Sequence, residues 1–239
     1  MTEYFTLTDT GKVRKSNEDY ISTAQTENGI LLVVCDGLGG LQGGEIASSL
    51  AAETITHEFR NASGFSDPYT FLSESTGKAN RKLQEFVAEN PEYDAIGTTL
   101  AAAYIKNDEL FVCHVGDSRV YLLKGEKLIQ VTKDHSIVRE FVDMGIITAE
   151  EAFNHPDRNL ITRSLGDPVN CIPDITGPLK LDKGDRVFLC TDGVNNHLTD
   201  AEIHNFLSAK KYQKVCDKIL AACLKKGGTD NISMICLIF

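Results

Sequence analysis

A six-residue apolar run, Ile30-Leu31-Leu32-Val33-Val34-Cys35, stops at Asp36-Gly37. A run this short, bounded by a turn signal, reads as a buried strand. The same pairing of an apolar stretch with a Gly-marked acidic turn recurs along the chain, at Gly116-Asp117-Ser118-Arg119, Thr191-Asp192-Gly193 and Gly228-Thr229-Asp230-Asn231, with Asn17-Glu18-Asp19 as a further acidic turn. Singly, each is an ordinary turn, because Gly supplies positive φ and Asp bonds its own backbone. Asp108, Asp182 and Asp185 read that way, and Asn17-Glu18-Asp19 alone would be a surface loop. The combination says more. Asp36, Asp192 and Asp230 flank apolar strands at distant points of the chain, and an antiparallel sandwich can bring such strand ends to one edge.

The rest of the chain supports that architecture. Tyr4 to Thr8 alternates like a strand and leads into a polar loop from Gly11 to Ser16. Gly43-Gly44 precedes a helical stretch, Glu45 to Ile55, with Ile46, Leu50 and Ile55 near one face. A second helix is expected over about 69–88, after Asp67-Pro68. Strands are expected at Thr98–Ile105, Glu109–Val115 and Ser118–Leu123, then a hairpin at Lys124-Gly125-Glu126-Lys127 leading to Leu128–Thr132. This meander argues for antiparallel sheets and against a Rossmann-type alternation. Residues 135–170 change to short helices and polar turns, too long for a plain loop, and read as an inserted flap. A strand at Arg186–Cys190, helices at Asp200–Ala209 and Tyr212–Lys225, and a last strand at Ile232–Phe239 complete the chain. The fold class is α+β, two antiparallel sheets packed together with helices outside, in one domain over 1–239.

The formal net charge of −10 argues against non-specific nucleic-acid binding, which needs a basic patch. It would also repel an anionic substrate, unless bound divalent cations invert the local field. The seven cysteines are odd in number and form no C-x-x-C. Cys35, Cys113, Cys190 and Cys236 lie in strand-like runs as small hydrophobes, which argues against disulfides and zinc and fits a reducing compartment. No apolar run approaches the roughly 18 residues of a membrane helix, and Met1-Thr2-Glu3-Tyr4-Phe5 does not open a signal peptide. A cytoplasmic monomer is the expectation. The six histidines show no H-x-x-x-H pairing and read as structural or solvated. No Gly-x-Ser-x-Gly elbow is present, which argues against a covalent serine intermediate.

Three or four carboxylates at one sheet edge would repel by several kcal/mol per pair in a low effective dielectric. Protonation or hard cations relieve that, and all-oxygen ligation selects Mg²⁺ or Mn²⁺ over zinc. Two such ions, about 3.5–4 Å apart, can activate a bridging water and clamp both oxygens of an in-line displacement. The chain therefore reads as a metal enzyme.

The same residues carry a family resemblance. Thr8-Asp9-Thr10-Gly11 through Arg14 with Asn17-Glu18-Asp19 resembles the opening motif of the PP2C-type, metal-dependent serine/threonine protein phosphatases. Asp36-Gly37-Leu38-Gly39-Gly40 with Gly44-Glu45-Ile46-Ala47 is similar to their second motif. Gly97-Thr98-Thr99, His114 to Arg119, Asp134-His135-Ser136, Ile161 to Gly166, Thr191-Asp192-Gly193 and Gly228 to Asn231 follow in the family's order, so the match runs from about residue 6 to 237. Any one motif is weak; eight in order are specific. The compact length resembles the bacterial branch.

The resemblance implies a β-sandwich between two pairs of helices. It implies hydrolysis of phosphoserine and phosphothreonine by direct attack of a hydroxide bridging two Mn²⁺ or Mg²⁺ ions. Asp36 would bridge both metals, with the Gly37 carbonyl as a further ligand; Asp192 and Asp230 would hold one ion and Glu18 the other. Asp19 would support the cluster through water, and Arg14 would clamp the phosphate. Asp117 would, with Asp192, hold a third ion seen in bacterial relatives, its alternative being a structural turn. Phosphorylated proteins and a cognate Ser/Thr kinase are the implied partners, and the flap would shape the substrate groove. One position departs: some members have a His after the second motif's Asp-Gly, a candidate general acid, where this chain has Leu38. A metal-bound water is then the expected proton source. Two other readings stand beside this one: a regulatory module with the fold and no turnover, and a two-metal hydrolase of another phosphoester such as a nucleotide. Retention of Asp36, Asp192 and Asp230 weighs against the first, and the lack of an aromatic stacking cluster against the second.

Overall fold

The computed structural model describes residues 3–38, 43–65, 67–93, 95–209, 212 and 214–239. Gly39 and Gly40 of the second motif, Met1 and Thr2, and Gln213 of the expected last helix lie outside the described residues.

Ten strands form two five-stranded antiparallel sheets among the described residues. One has the order β1 (Glu3–Asp9), β10 (Ile232–Ile238), β9 (Arg186–Cys190), β6 (Arg119–Lys124), β7 (Lys127–Gln130). The other has β2 (Asp19–Thr26), β3 (Gly29–Asp36), β4 (Leu100–Lys106), β5 (Glu109–Val115), β8 (Asp174–Lys180). Helices α1 (Gly44–Asn61) and α2 (Pro68–Glu89) cover the second sheet, while α6 (Asp200–Leu207) and α7 (Val215–Lys225) cover the first with the short α5 (Asp192–Asn195).

This layering explains the continuous apolar runs. Side chains alternate between the two faces of a strand. In β3, Leu32 and Val34 meet the opposite sheet while Leu31, Val33 and Cys35 meet α1 and α2. In β9, Val187 and Leu189 face the sandwich interior, and Phe188 and Cys190 face α6 and α7. Both faces of these central strands are buried, so no polar alternation survives. The helices start at defined signals: Asp67 accepts from the Tyr69 and Thr70 amides ahead of Pro68, and Thr199 forms a capping box with Glu202 before α6. Helix α1 runs six residues past the expected Ile55, because Thr56 and Phe59 extend its buried face.

The expected strands β5 and β9 fall on their anticipated residues, and the others shift by one or two. Strands β2 and β8 and helix α5 are additions to the sequence reading. The segment between β7 and β8 carries two short helices, α3 (Ile137–Asp143) and α4 (Ala149–Phe153), where the flap was expected. No helix among the described residues is long and apolar enough to cross a membrane.

Candidate active site

The acidic turns of Glu18-Asp19, Asp36, Asp117, Asp192 and Asp230 sit at one end of the sandwich. Asp36 ends β3, Asp19 opens β2 directly opposite it, Asp117 lies between β5 and β6, Asp192 follows β9, and Asp230 precedes β10. Antiparallel pairing makes these neighbours: Asp19 faces Asp36 across β2–β3, and Cys190 is paired with both Arg119 and Met234.

The loops are then locked together by polar contacts. The Asp36 amide donates to Thr99 Oγ1 at 3.0 Å, and Thr99 Oγ1 lies 2.7 Å from Ser118 Oγ. The Gly37 amide donates to the Glu18 carbonyl at 3.1 Å, and Ser48 Oγ donates to the same oxygen at 2.6 Å. Buried Asn231 pins the opposite wall: its Oδ1 accepts from the Glu18 amide at 2.9 Å, and its Nδ2 donates to the Thr10 and Ser16 carbonyls at 3.0 and 2.9 Å. Two glycines permit these close approaches. A Cβ at Gly37 would collide with the Gly44 carbonyl, and one at Gly193 with the Asn231 carbonyl.

Arg14, Glu18, Asp36, Gly37, Asp117, Asp192 and Asp230 line a single cavity of about 110 Å³, together with Leu38, Thr99, Asn159, Ile161 and Asn231. Of the residues singled out in the sequence, Asp19 alone is set behind this wall. It is buried, and its Oδ2 accepts from Thr191 Oγ1 at 2.9 Å. At the rim, Arg14 Nη2 donates to Asp230 Oδ2 at 2.9 Å. Asp108 and Asp185 are turn residues, as expected, tied to Lys180 and to the Asp182 amide.

The cluster's electrostatics are severe. Burial first, then its carboxylate neighbours beginning with Asp19, push Asp36 well above the usual carboxylate range. Burial and Asp192 push Asp117 well above it too. Burial, opposed by hydrogen bonds from Ser233 and Thr191, takes Asp19 up to about 7. Burial and Asp230 take Asp192 up to about 6, although a hydrogen bond with Asp36 opposes them. Burial, with Glu45, raises Glu18. Without cations, these carboxyls take up protons more readily than free carboxylates do. One buried oxygen, Asp19 Oδ1, has no hydrogen-bond partner. An orphaned carboxylate oxygen behind an all-oxygen wall is what hydrated hard cations would satisfy, so the donor set fits Mg²⁺ or Mn²⁺.

A second group of potential ligand atoms, from His114, His135 and Asp174, lies within 4.8 Å of one another. The two imidazoles stack at 4.6 Å. His135 Nδ1 accepts from the Gly116 amide at 3.1 Å, which leaves the proton on Nε2, 3.2 Å from Asp174 Oδ2. Arg163 donates to the other Asp174 oxygen at 2.9 Å, and His114 Nε2 faces the Lys133 carbonyl at 2.9 Å. Burial holds both imidazoles below the ordinary value. Nε2 of His114 and both imidazole nitrogens of His135 are hydrogen-bonded, so the two rings fasten residues 133–135 to the Asp117 loop.

Sequence reasoning gave no role to Thr99, Asn159, Ile161 or Thr191. Thr99, Ile161, Thr191 and Asn231 stood within recognised motifs, whereas Asn159 sits in the segment between β7 and β8 with no signal of its own.

Comparison with known proteins agrees with the fold. The family model described as Protein phosphatase 2C matches residues 11–232. The serine/threonine phosphatase stp of Listeria monocytogenes is 30% identical over 233 residues, which cover 95% of this chain and 92% of that protein. The Streptococcus agalactiae serine/threonine phosphatase superposes with a TM-score of 0.91 at 32% identity, covering 100% of this chain and 99% of the other. The catalytic domain of the serine/threonine protein phosphatase PstP, solved with two manganese ions, has a TM-score of 0.86 at 32% identity over 99% and 97% of the two chains. The chain belongs to the protein phosphatase 2C family, whose members are metal-dependent phosphatases.

Proposed function

We propose that this chain hydrolyses phosphoserine and phosphothreonine in proteins, with Asp36, Asp192 and Asp230 as the principal ligands of two divalent ions. The observation that carries the reading is a wall of mutually repelling carboxylates with one guanidinium, Arg14, at the mouth of the same cavity. Glu18 and the Gly37 carbonyl extend the ligand set, Asp19 supports it through water, and Asp117 with Asp192 supplies a third position. Mn²⁺ and Mg²⁺ both suit this donor set. Bound there, the ions would offset the cluster's charge and allow water to act as a nucleophile near neutral pH.

The chain's own residues do the rest. Arg14 stands 43% exposed at the rim, where a planar fork of N–H donors can take two phosphate oxygens. Asp230, its present partner, keeps that guanidinium aimed at the cavity. Leu38 and Ile161 also line the cavity and hold no proton, so the leaving alkoxide takes its proton from water. Among the described residues, the lining includes no serine or cysteine, in keeping with direct attack by water. We further propose a cytoplasmic monomer of one domain, with the segment around 135–170 as a flap over the substrate path and a Ser/Thr kinase acting on the same substrates.

Phosphate release from phosphothreonine, phosphoserine and phosphotyrosine peptides and from nucleoside monophosphates, in Mn²⁺, tests the substrate class. Turnover confined to the first two supports the reading. A preference for the nucleotides would replace it with a non-protein phosphoesterase, and no turnover of any substrate by folded, Mn²⁺-binding protein would favour a regulatory module.

A further inference from the structure

Helix α5 is only four residues long, yet its first residue is Asp192. So short an element cannot hold a carboxylate in place by itself, and side chains just beyond its C-terminus do so. His197 donates from Nδ1 to the Gly193 carbonyl at 2.7 Å and accepts the Thr229 amide on Nε2 at 3.2 Å, joining α5 to the Asp230 loop. Asn196 makes the other connection. Its Nδ2 donates to Asp192 Oδ2 at 2.9 Å and to Asn159 Oδ1 at 3.2 Å. An ionised carboxylate can only accept, so the nitrogen of the Asn196 amide must face Asp192, and its second hydrogen is then available to Asn159.

Asn159 belongs to the segment between β7 and β8, six residues past α4. It lines the carboxylate cavity. Asn196 lines a neighbouring cavity of about 850 Å³, between α3 and α4 on one side and α6 on the other, with Val138, Val142, Phe153 and Leu198 among its apolar walls. Asp117 borders both cavities. The Asn159–Asn196 pair therefore stands at the partition between the metal centre and the space under the flap helices.

We propose that this pair couples the flap segment to cation binding at Asp192, with Asn196 as a positioning residue and Asn159 as the flap's hold on it. The inference rests on the metal-centre reading above. When Asn159 stays in place, the Asn196 amide is anchored and one lone pair of Asp192 Oδ2 is fixed in direction. When the flap moves, Asn196 is free to rotate and the ligand loses its support. Partners behind a metal ligand commonly change metal affinity by about 10- to 100-fold when removed. Coupling between two sites is reciprocal, so metal binding must also hold the flap. Whatever fills the larger cavity touches Asn196 and acts on the same equilibrium.

The test measures Mn²⁺ affinity by calorimetry, without turnover, for the parent chain, Asn159→Ala, Asn196→Ala and the double variant. Asn159 is exposed, so its variant keeps the fold even if Asn196→Ala proves unstable. The expected result is an affinity about fivefold weaker for Asn159→Ala and at least about tenfold weaker for Asn196→Ala, with the double variant no weaker than Asn196→Ala. Hydrogen exchange over residues 137–160 should slow when Mn²⁺ binds the parent, and not when it binds either variant. Parent-like affinity in Asn159→Ala, or effects that multiply in the double variant, would overturn the coupling while leaving the metal centre intact. A parent chain that binds no Mn²⁺ would overturn both.

Discussion

Replacing Asp192 by Asn should stabilise the protein in chelator and destabilise it, relative to the parent, in metal. Burial, with Asp230 beside it, takes the Asp192 carboxyl from 3.8 to about 6. A raised carboxylate favours the folded state below its unfolded value, and that advantage is lost as pH rises through the folded value. At pH 8 the metal-free parent therefore bears the full cost of ionising Asp192, about 3 kcal/mol at 1.36 kcal/mol for each pH unit of difference. An Asn does not ionise, and its Oδ1 can still accept from Asn196. Allowing for imperfect fit, Asp192→Asn should gain about 1–3 kcal/mol in EDTA, a few degrees to about 10 °C in Tm for a chain of this size. In Mn²⁺ at 100 times the dissociation constant the parent gains about 2.7 kcal/mol by mass action, and the variant gains much less. Thermal unfolding at pH 8, with EDTA and with Mn²⁺, reads both effects. A variant less stable than the parent in EDTA, or stabilised by Mn²⁺ as much as the parent, would refute the claim that unrelieved carboxylate repulsion defines this site.

Other consequences follow from the same geometry. In chelator, the parent should lose stability as pH rises from about 5 to 7.5, because Asp192 at about 6 and Asp19 at about 7 ionise there at a cost; urea titrations should show that slope flatten in Mn²⁺. Asn231→Ala removes three hydrogen bonds that fasten the Glu18 loop, and should lower unfolding stability by about 2–4 kcal/mol in urea melts. Arg14→Ala should cut kcat/KM on a phosphothreonine peptide by about 100-fold with no loss of Mn²⁺ affinity, and Arg14→Lys should recover only part of it, because the forked donor is gone. Leu38→Ala should leave the pH–rate profile nearly unchanged; loss of its acidic limb would contradict a water proton source.

Much of the fold was legible because the central strands are buried on both faces. Glu109–Val115 and Arg186–Cys190 have apolar runs bounded by turns, and they are strands on those residues. The elements that escaped lack that signature for physical reasons. β2 and β8 are the two edges of one sheet. An edge strand needs fewer buried side chains and tolerates Pro178 and Gly177, which in sequence read against a strand. α5 is shorter than the two turns a helical period needs to show itself. The convergence of the acidic residues at the candidate site was legible as a set, since each sits in a turn beside an apolar strand, although no one turn identified it. Their supports were not. Asn159 and Asn196 are amides in short polar segments, and only the packing of the β7–β8 connection against α5 brings them together. His114 and His135, separated by 21 positions, likewise meet only because β5 runs beside the segment that follows β7.

The central claim is that the carboxylates at this sandwich edge form a metal centre for phosphoester hydrolysis. The most direct test is phosphate release from a phosphothreonine peptide by chelator-stripped protein across a Mn²⁺ titration, with Asp192→Ala alongside. The account predicts no release without metal, saturating turnover as Mn²⁺ is added, and loss of that turnover in the variant. Release that persists in chelator, or a variant as active as the parent at every Mn²⁺ concentration, would contradict it.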